Sequence, residues 1–314
     1  MTQLYPGWDY KEAALKVKSD LWPREKLCWE VWNNNKQIFM AGGYVSTSGQ
    51  NVLLSDGEEA LSRTKICDKP ISAAEVPPLW NLETDVVNED CLVVAHRMQE
   101  QGLNPAILNL ANRFCAGGGY RSGALAQEET LFRATNLSQS LYPFYRKDFA
   151  LESNMPYKYS AYPMDIRYGG IYSGKVTVFR DPINSYALLD ETWQSSVISV
   201  AALNFNQGPE LEQYGAPDGS FNAEGENIMK DKIRTIFRIG LVNGHDSLVL
   251  GAFGCGAFRL KPVLVSKLFK LILGEPEFQG KFRKIVFAIL EHRVGTRGLN
   301  GKFAPFYMDF KICH

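Results

Sequence analysis

Three things are missing from this 314-residue sequence, and each absence removes a class of explanation. Charge of one sign is missing. The 34 Lys and Arg balance the 34 Asp and Glu, so no global field draws in nucleic acid or an anionic membrane. A polyanionic ligand would have to be held by local backbone amides and a few placed side chains. Long apolar runs are missing, none approaching the ~18 residues of a spanning helix. Paired cysteines are missing as well. Cys28, Cys67, Cys91, Cys115, Cys255 and Cys313 are scattered without a C-x-x-C, and the dispersed His96, His245, His292 and His314 do not join them at zinc spacing. The N-terminal MTQLYPGWDY has neither a basic n-region nor an apolar h-region. An intracellular, reducing setting is therefore expected, cytoplasmic or nuclear. There is no internal repeat and no low-complexity segment.

What is present suffices for a large core, since 45% of residues are hydrophobic. Residues 1–85 read as a mainly helical accessory region. Residues 9–22 and 23–40 alternate charged and apolar positions at helical spacing, with Leu27, Val31, Ile38 and Phe39 on one side and Pro23 suited to a first helical position. Gly42-Gly43-Tyr44-Val45 and Asn51-Val52-Leu53-Leu54 read as a hairpin, and Ser55-Asp56-Gly57-Glu58-Glu59 as a capped helix start. Pro70 and the Pro77-Pro78 pair mark the passage to the second region, 86–314. There, strands are expected near 84–88, 106–110, 176–179, 196–201, 248–252 and 284–288, and helices near 89–101, 128–140, 224–243 and 263–273. Strands rich in Val, Ile and Leu without strict alternation imply a sheet covered on both faces, hence an α/β fold. The Tyr- and Pro-rich stretch 144–171 is expected as a lid or a packed loop.

The densest chemistry lies at Asn109–Thr130, NLANRFCAGGGYRSGALAQEET. A short buried strand precedes three consecutive glycines, Gly117, Gly118 and Gly119, and a helix opens at Gln127, Glu128 and Glu129. Glycines allow close approach of backbone to ligand and turn amides toward phosphate oxygens. Two carboxyl groups just beyond place acid–base chemistry beside such a ligand, and their proximity disfavours double ionisation. Acidic residues at a helix start also suit the dipole, but the glycine triplet favours the chemical reading. A second strand–glycine loop–helix unit follows at Gly251-Ala252-Phe253-Gly254-Cys255-Gly256-Ala257-Phe258. Two such loops can grip a diphosphate, and Phe258 offers either a ring face for a sugar or a core side chain. No Gly-Lys-Ser/Thr follows Gly117–Gly119, so the triplet is not a P-loop.

The triplet followed by Gln-Glu-Glu resembles the signature of poly(ADP-ribose) glycohydrolases, and Gly251–Phe258 resembles the diphosphate loop of macrodomains. Ile171-Tyr172-Ser173 and Val178-Phe179-Arg180-Asp181 are similar to a segment of the bacterial-type branch, and residues 24–67 to its N-terminal extension. Cys115-Ala116 stands where many bacterial relatives place Pro, and Leu-Ala-Asn-Arg-Phe leans toward the eukaryotic-type branch.

The resemblance implies a macrodomain-like mixed sheet sandwiched between helices, and a glycohydrolase releasing ADP-ribose from poly(ADP-ribose). It implies Glu129 as general acid and then base, with Glu128 accepting from ribose hydroxyls and Gln127 orienting the pair. Asn112 matches the asparagine on the distal ribose, with Asn109 two residues ahead on the strand end. Gly118 and Gly119 would turn amides to the diphosphate beside Gly117, while Gly254, Cys255, Gly256 and Ala257 form the second loop and Phe258 positions the terminal ribose. Phe205, Tyr168 and Tyr172 are candidates for the adenine platform. No cofactor and no catalytic metal are expected, because a sugar oxocarbenium requires neither. The partners expected are the polymer or an ADP-ribosylated protein, with ADP-ribose as product, and neither a membrane nor sequence-specific nucleic acid. Two other readings stay open: a hydrolase of single protein-linked ADP-ribose units, and a reader that binds without cleaving. Retention of both glutamates argues against the reader.

Overall fold

The computed structural model describes residues 4–5, 16, 24–54, 57–206, 208–291 and 301–311. Helix α1 (Arg24–Ala41) turns Leu27, Cys28, Val31, Ile38 and Phe39 inward. Strands β1 (Gly43–Val45) and β2 (Asn51–Leu53) pair antiparallel with Tyr44 opposite Val52, and α2 (Gly57–Ser62) leads into β3 (Thr64–Cys67). After β4 (Glu83–Val87), α3 (Cys91–Glu100) starts at Asp90, whose side chain accepts from the Leu92 amide and satisfies one of the helix's orphan donors. Then come β5 (Pro105–Leu110), α4 (Gln127–Ala134), α5 (Leu137–Leu141), α6 (Lys147–Glu152) and the long strands β6 (Gly170–Asp181) and β7 (Ala187–Val200). The chain continues through α7 (Glu210–Tyr214), α8 (Ala223–Val242), β8 (Ser247–Leu250), α9 (Pro262–Leu273), β9 (Lys284–Ala288) and α10 (Phe303–Phe310). Seven strands form one mixed sheet in the order β3-β6-β7-β5-β8-β9-β4, as the α/β expectation requires.

Two compact units interleave along the chain. The first comprises residues 1–65, 114–163 and 171–197. Its core joins α1 and the β1–β2 hairpin to the long strands through Ile38, Phe39, Tyr44, Val52, Phe179 and Leu188. The second comprises residues 66–113, 164–170 and 198–314. Its strands β5, β8, β9 and β4 run parallel, with Ile107 opposite Val249 and Val249 opposite Val286. Every residue of β8 is buried, the mark of a strand covered on both faces. Against these strands α8 and α9 deliver Phe237 and Phe269, which pack with Phe278, Phe282, Phe253 and Phe287. Truncating one such ring to alanine costs about 3–5 kcal/mol.

Helix α1, the hairpin and the strands at β4, β5, β8 and β9 lie where the pattern places them. Apart from Lys16, the helix expected over 9–22 falls outside the described residues, as do the caps at Pro23, Ser55 and Asp56 and the residues His292, Cys313 and His314. Two differences have physical causes. The helix expected over 128–140 breaks at Thr135, which is extended. Asn136 donates its amide to the Thr177 carbonyl at 3.0 Å and accepts the Thr177 amide at 2.8 Å, so a neighbouring strand takes over these backbone groups. The strands expected at 176–179 and 196–201 are the inner parts of β6 and β7, which extend through polar residues such as Asp190, Glu191 and Gln194. Of the lid or packed loop expected over 144–171, α6 and the buried Met155 and Tyr162 fit the packed loop.

Candidate active site

The loop after β5 begins with two turns. The Gly118 amide donates to the Cys115 carbonyl at 3.0 Å, and the Tyr120 amide to Gly117 at 2.9 Å. Gly117 and Gly118 have φ of +79° and +52°, conformations that favour glycine. A Cβ would be as poorly accommodated as the dihedral. At Gly117 it would meet the Phe132 ring at 2.6 Å, and at Gly118 the Glu129 carboxylate at 2.5 Å and that of Glu128 at 3.1 Å. Gly119 has an ordinary φ of −90°, but its Cβ would meet Ala124 at 2.6 Å. The triplet is thus moulded around two carboxylates.

Helix α4 supplies those carboxylates from its first turn, both buried: Glu128 is 3% and Glu129 6% exposed. The Gly117 amide donates to Glu128 Oε1 at 3.1 Å and the Gly119 amide to Glu129 Oε1 at 2.8 Å. Charge-assisted bonds of this kind hold a carboxylate's orientation. Of the two amides expected to turn to a diphosphate, that of Gly119 is committed to Glu129 and that of Gly118 to the Cys115 carbonyl, and the neighbouring Gly117 amide is taken by Glu128. Glu129 Oε2 is buried with no hydrogen-bond partner among the described residues. Gln127, at the head of the helix, is half-buried.

Behind the glutamates lies a polar support that the motif does not advertise. Asn35 of α1 donates to the Tyr120 hydroxyl at 2.9 Å and the Arg133 carbonyl at 3.0 Å, and accepts from Arg180 Nε at 2.8 Å. Arg180 also donates to the Tyr186 carbonyl at 2.9 Å, and burial pulls its guanidinium down to about 10. Arg133, fully buried one turn beyond Glu129, donates to the Ala124 carbonyl. The only signals for this support in the sequence are the Asn-rich run of α1 and the charged residue inside Val178–Asp181.

In the second unit, β5 and β8 are parallel neighbours, so the segments leaving them start side by side at the strands' carboxyl ends, where ligands of open α/β sheets bind. Asn109 is fully buried and donates to Ser199 Oγ at 3.0 Å, a strand-to-strand tie. Asn112, in the following loop, is half-buried. After β8, Gly254 has φ of +73° and leaves no room for a Cβ against Ala202 at 2.7 Å and Leu260 at 2.5 Å. Gly256 and Ala257 are exposed, and a Cβ on Gly256 meets nothing within 4 Å. The ring of this loop that enters the core is Phe253, at 0% exposure. Phe258 is half-buried, and its carbonyl accepts from the Phe205 amide at 2.9 Å. Phe205 packs on Phe221 with centroids 5.5 Å apart. Tyr172 is a buried strand residue bonded to Ser196 Oγ at 3.0 Å, while Tyr168 is half-buried.

Burial lifts the Cys115 thiol above its ordinary range and the Cys255 thiol to about 12, so neither is a ready nucleophile at neutral pH. Among the described residues no group of three or more His, Cys, Asp or Glu is placed to hold a metal ion, and no helix is long and apolar enough to cross a membrane.

Residues 33–181 match the family model described as microbial-type PARG, catalytic domain. Among solved structures the chain is similar to poly(ADP-ribose) glycohydrolase from Thermomonospora curvata, at 27% identity over 90% of this chain and 99% of that one, with a TM-score of 0.69. The same protein bound to the inhibitor ADP-HPD matches at 27% identity, 90% and 99% coverage and a TM-score of 0.68. The enzyme from Deinococcus radiodurans in complex with ADP-ribose shares the fold, at 23% identity over 82% of this chain and 98% of that one, with a TM-score of 0.63. No curated protein matches the chain. The matched region contains the glycine triplet, both buried glutamates and the Arg180 support, so residues 33–181 carry the microbial-type PARG catalytic-domain pattern.

Proposed function

We propose that the chain hydrolyses the ribose–ribose O-glycosidic bonds of poly(ADP-ribose), releasing ADP-ribose, with Glu129 as the acid–base group. The observation that carries this role is the asymmetry of its carboxyl group. Oε1 is fixed by the Gly119 amide, while the buried Oε2 has no partner among the described residues. An oxygen in that state can hold a proton and aim it. Glu129 gives this proton to the departing ribose oxygen as the C–O bond breaks. The resulting carboxylate then takes a proton from the water that adds to the oxocarbenium carbon.

Glu128, held by the Gly117 amide, takes ribose hydroxyls, and Gln127 orients the pair. Asn112 takes the distal ribose, with Asn109 bracing the strand beneath it. The loop of Gly254, Cys255, Gly256 and Ala257 takes the diphosphate and Phe258 aligns the terminal ribose, while Gly117–Gly119, whose amides bond Glu128, Cys115 and Glu129, hold the glutamates in place for the ligand. Residues 1–85 act as an accessory region to a catalytic domain spanning 86–314. We place the protein inside the cell.

Labelled polymer and a mono-ADP-ribosylated protein, each incubated with the purified chain in EDTA, test the reading. Free ADP-ribose should appear from the polymer. Glu129→Gln should lower turnover by about two to four orders of magnitude with ADP-ribose affinity nearly unchanged. Release from the mono-modified protein alone would establish the other hydrolase reading, and binding without release the reader. A Glu129→Gln variant that keeps its rate would move the chemistry to Glu128.

A further inference from the structure

The segments leaving β5 and β7 are joined by one carboxylate. Glu210, the first residue of α7, is 5% exposed. Its Oε1 accepts from Arg113 Nε at 3.2 Å and its Oε2 from the Asn204 amide at 2.6 Å. Arg113 directly follows Asn112 in the loop after β5, and its second arm donates to the Met164 carbonyl at 3.0 Å. Asn204 directly precedes Phe205 in the loop after β7, and the Phe205 amide in turn donates to the Phe258 carbonyl at 2.9 Å. A single acid thus ties the Asn112 loop to the Phe205 loop, and the Phe205 amide ties that loop to the second glycine loop. Beneath the acid lies Lys232 of α8, 1% exposed, with no hydrogen-bond partner for its Nζ among the described residues. Glu210 and Asp165 are the acids that act on it and Arg113 the opposing cation.

We propose that Glu210 is a positioning residue: its carboxylate holds the loops bearing Asn112, Phe205 and Phe258 in register for ADP-ribose, and so sets affinity rather than the chemical step. The inference rests on the proposed glycohydrolase function. A surface residue of a short helix would not need donors from two separate segments. A glutamine in its place must turn an amide group toward either the guanidinium or the Asn204 N–H, so that one of these two bonds to the buried carboxyl position is lost.

The test pairs Glu210→Gln with Ile236→Ala, a core truncation on α8 at a fully buried site that supplies a comparable loss of thermal stability. The Kd for ADP-ribose by calorimetry and kcat and KM on polymer are measured for each. Glu210→Gln should raise Kd and KM by about 10-fold while kcat stays within about 3-fold, and Ile236→Ala should leave Kd near the parent value. An unchanged Kd in Glu210→Gln, a loss carried mainly by kcat, or an equal loss in Ile236→Ala would overturn the proposal. If Glu210→Gln does not fold, Arg113→Lys takes its place. It keeps the charge but loses the fork that reaches both Glu210 and Met164, and an unchanged Kd there overturns the proposal equally. A parent protein that neither binds ADP-ribose nor cleaves polymer would instead refute the function on which the inference rests.

Discussion

At the scale of single residues, the site depends on ionisable groups buried with unequal compensation. Glu128 and Glu129 are buried yet each receives a glycine amide, which substitutes for part of the lost hydration. Lys232 is the opposite case. Burial pulls its ammonium down to about 7 from 10.5, with Glu210 acting the other way. The folded state therefore binds fewer protons than the unfolded chain between about pH 7 and pH 10.5. Stability relative to a non-titrating residue must rise with pH across that window and be flat below it. The groups facing the ammonium, Glu210, Asp165 and Arg113, stay in place in Lys232→Met, so the difference between the two proteins isolates this titration. Denaturant unfolding from pH 6 to pH 9 should show the parent gaining on Lys232→Met by up to about 1 kcal/mol per pH unit above neutrality. Parallel pH profiles for the two proteins would mean that Lys232 titrates normally.

At the scale of elements, the two glycine loops have different structural duties. Gly119 is enclosed by Ala124 and by the carboxylate it binds, whereas Gly256 stands open. Gly119→Val should therefore lower thermal stability and displace Glu129, cutting kcat by about a hundredfold. Gly256→Val should leave the melting temperature unchanged and weaken ADP-ribose binding. Equal melting losses in both variants, or a Gly256→Val protein of parental affinity, would contradict this division. The pattern of residues 117–119 and 127–129 made the first loop legible, because three glycines state where a backbone can bend. They do not state which acceptor the freed amides will choose, and the nearest buried carboxylates claimed two of them. The break at Thr135 was hidden for a related reason: the partner of Asn136 is Thr177, 41 positions away, beyond any local periodicity. Phe258 reads from the sequence as either a ring for a sugar or a core side chain, and the packing against Phe269 identifies Phe253 as the loop's core ring. Glu210 and Lys232 carry no motif at all, since their significance comes from tertiary neighbours.

At the scale of the whole molecule, the balance of 34 acidic and 34 basic residues bears on how a polyanion is recognised. A protein that captures phosphates with Lys and Arg releases condensed counterions, and its affinity falls steeply with salt. Several of the described cations are engaged with carboxylates. Arg234 and Arg238 each pair with a glutamate at 2.6 Å, Arg113 with Glu210 at 3.2 Å and Arg121 with Glu152 at 2.8 Å. The segments assigned to the ligand, Gly117–Gly119 and Gly254–Phe258, contain no Lys or Arg. Recognition through amide dipoles and sugar hydroxyls responds weakly to ionic strength. KM for polymer should thus change by no more than about 3-fold between 50 and 200 mM salt, against the ~10³ or more lost by a protein making six to ten phosphate contacts. Steady-state kinetics on polymer of fixed length across that range is the measurement. A slope of log KM against log salt as steep as that of a cationic groove would mean that charged side chains, and not the two glycine loops, provide the main hold on the substrate.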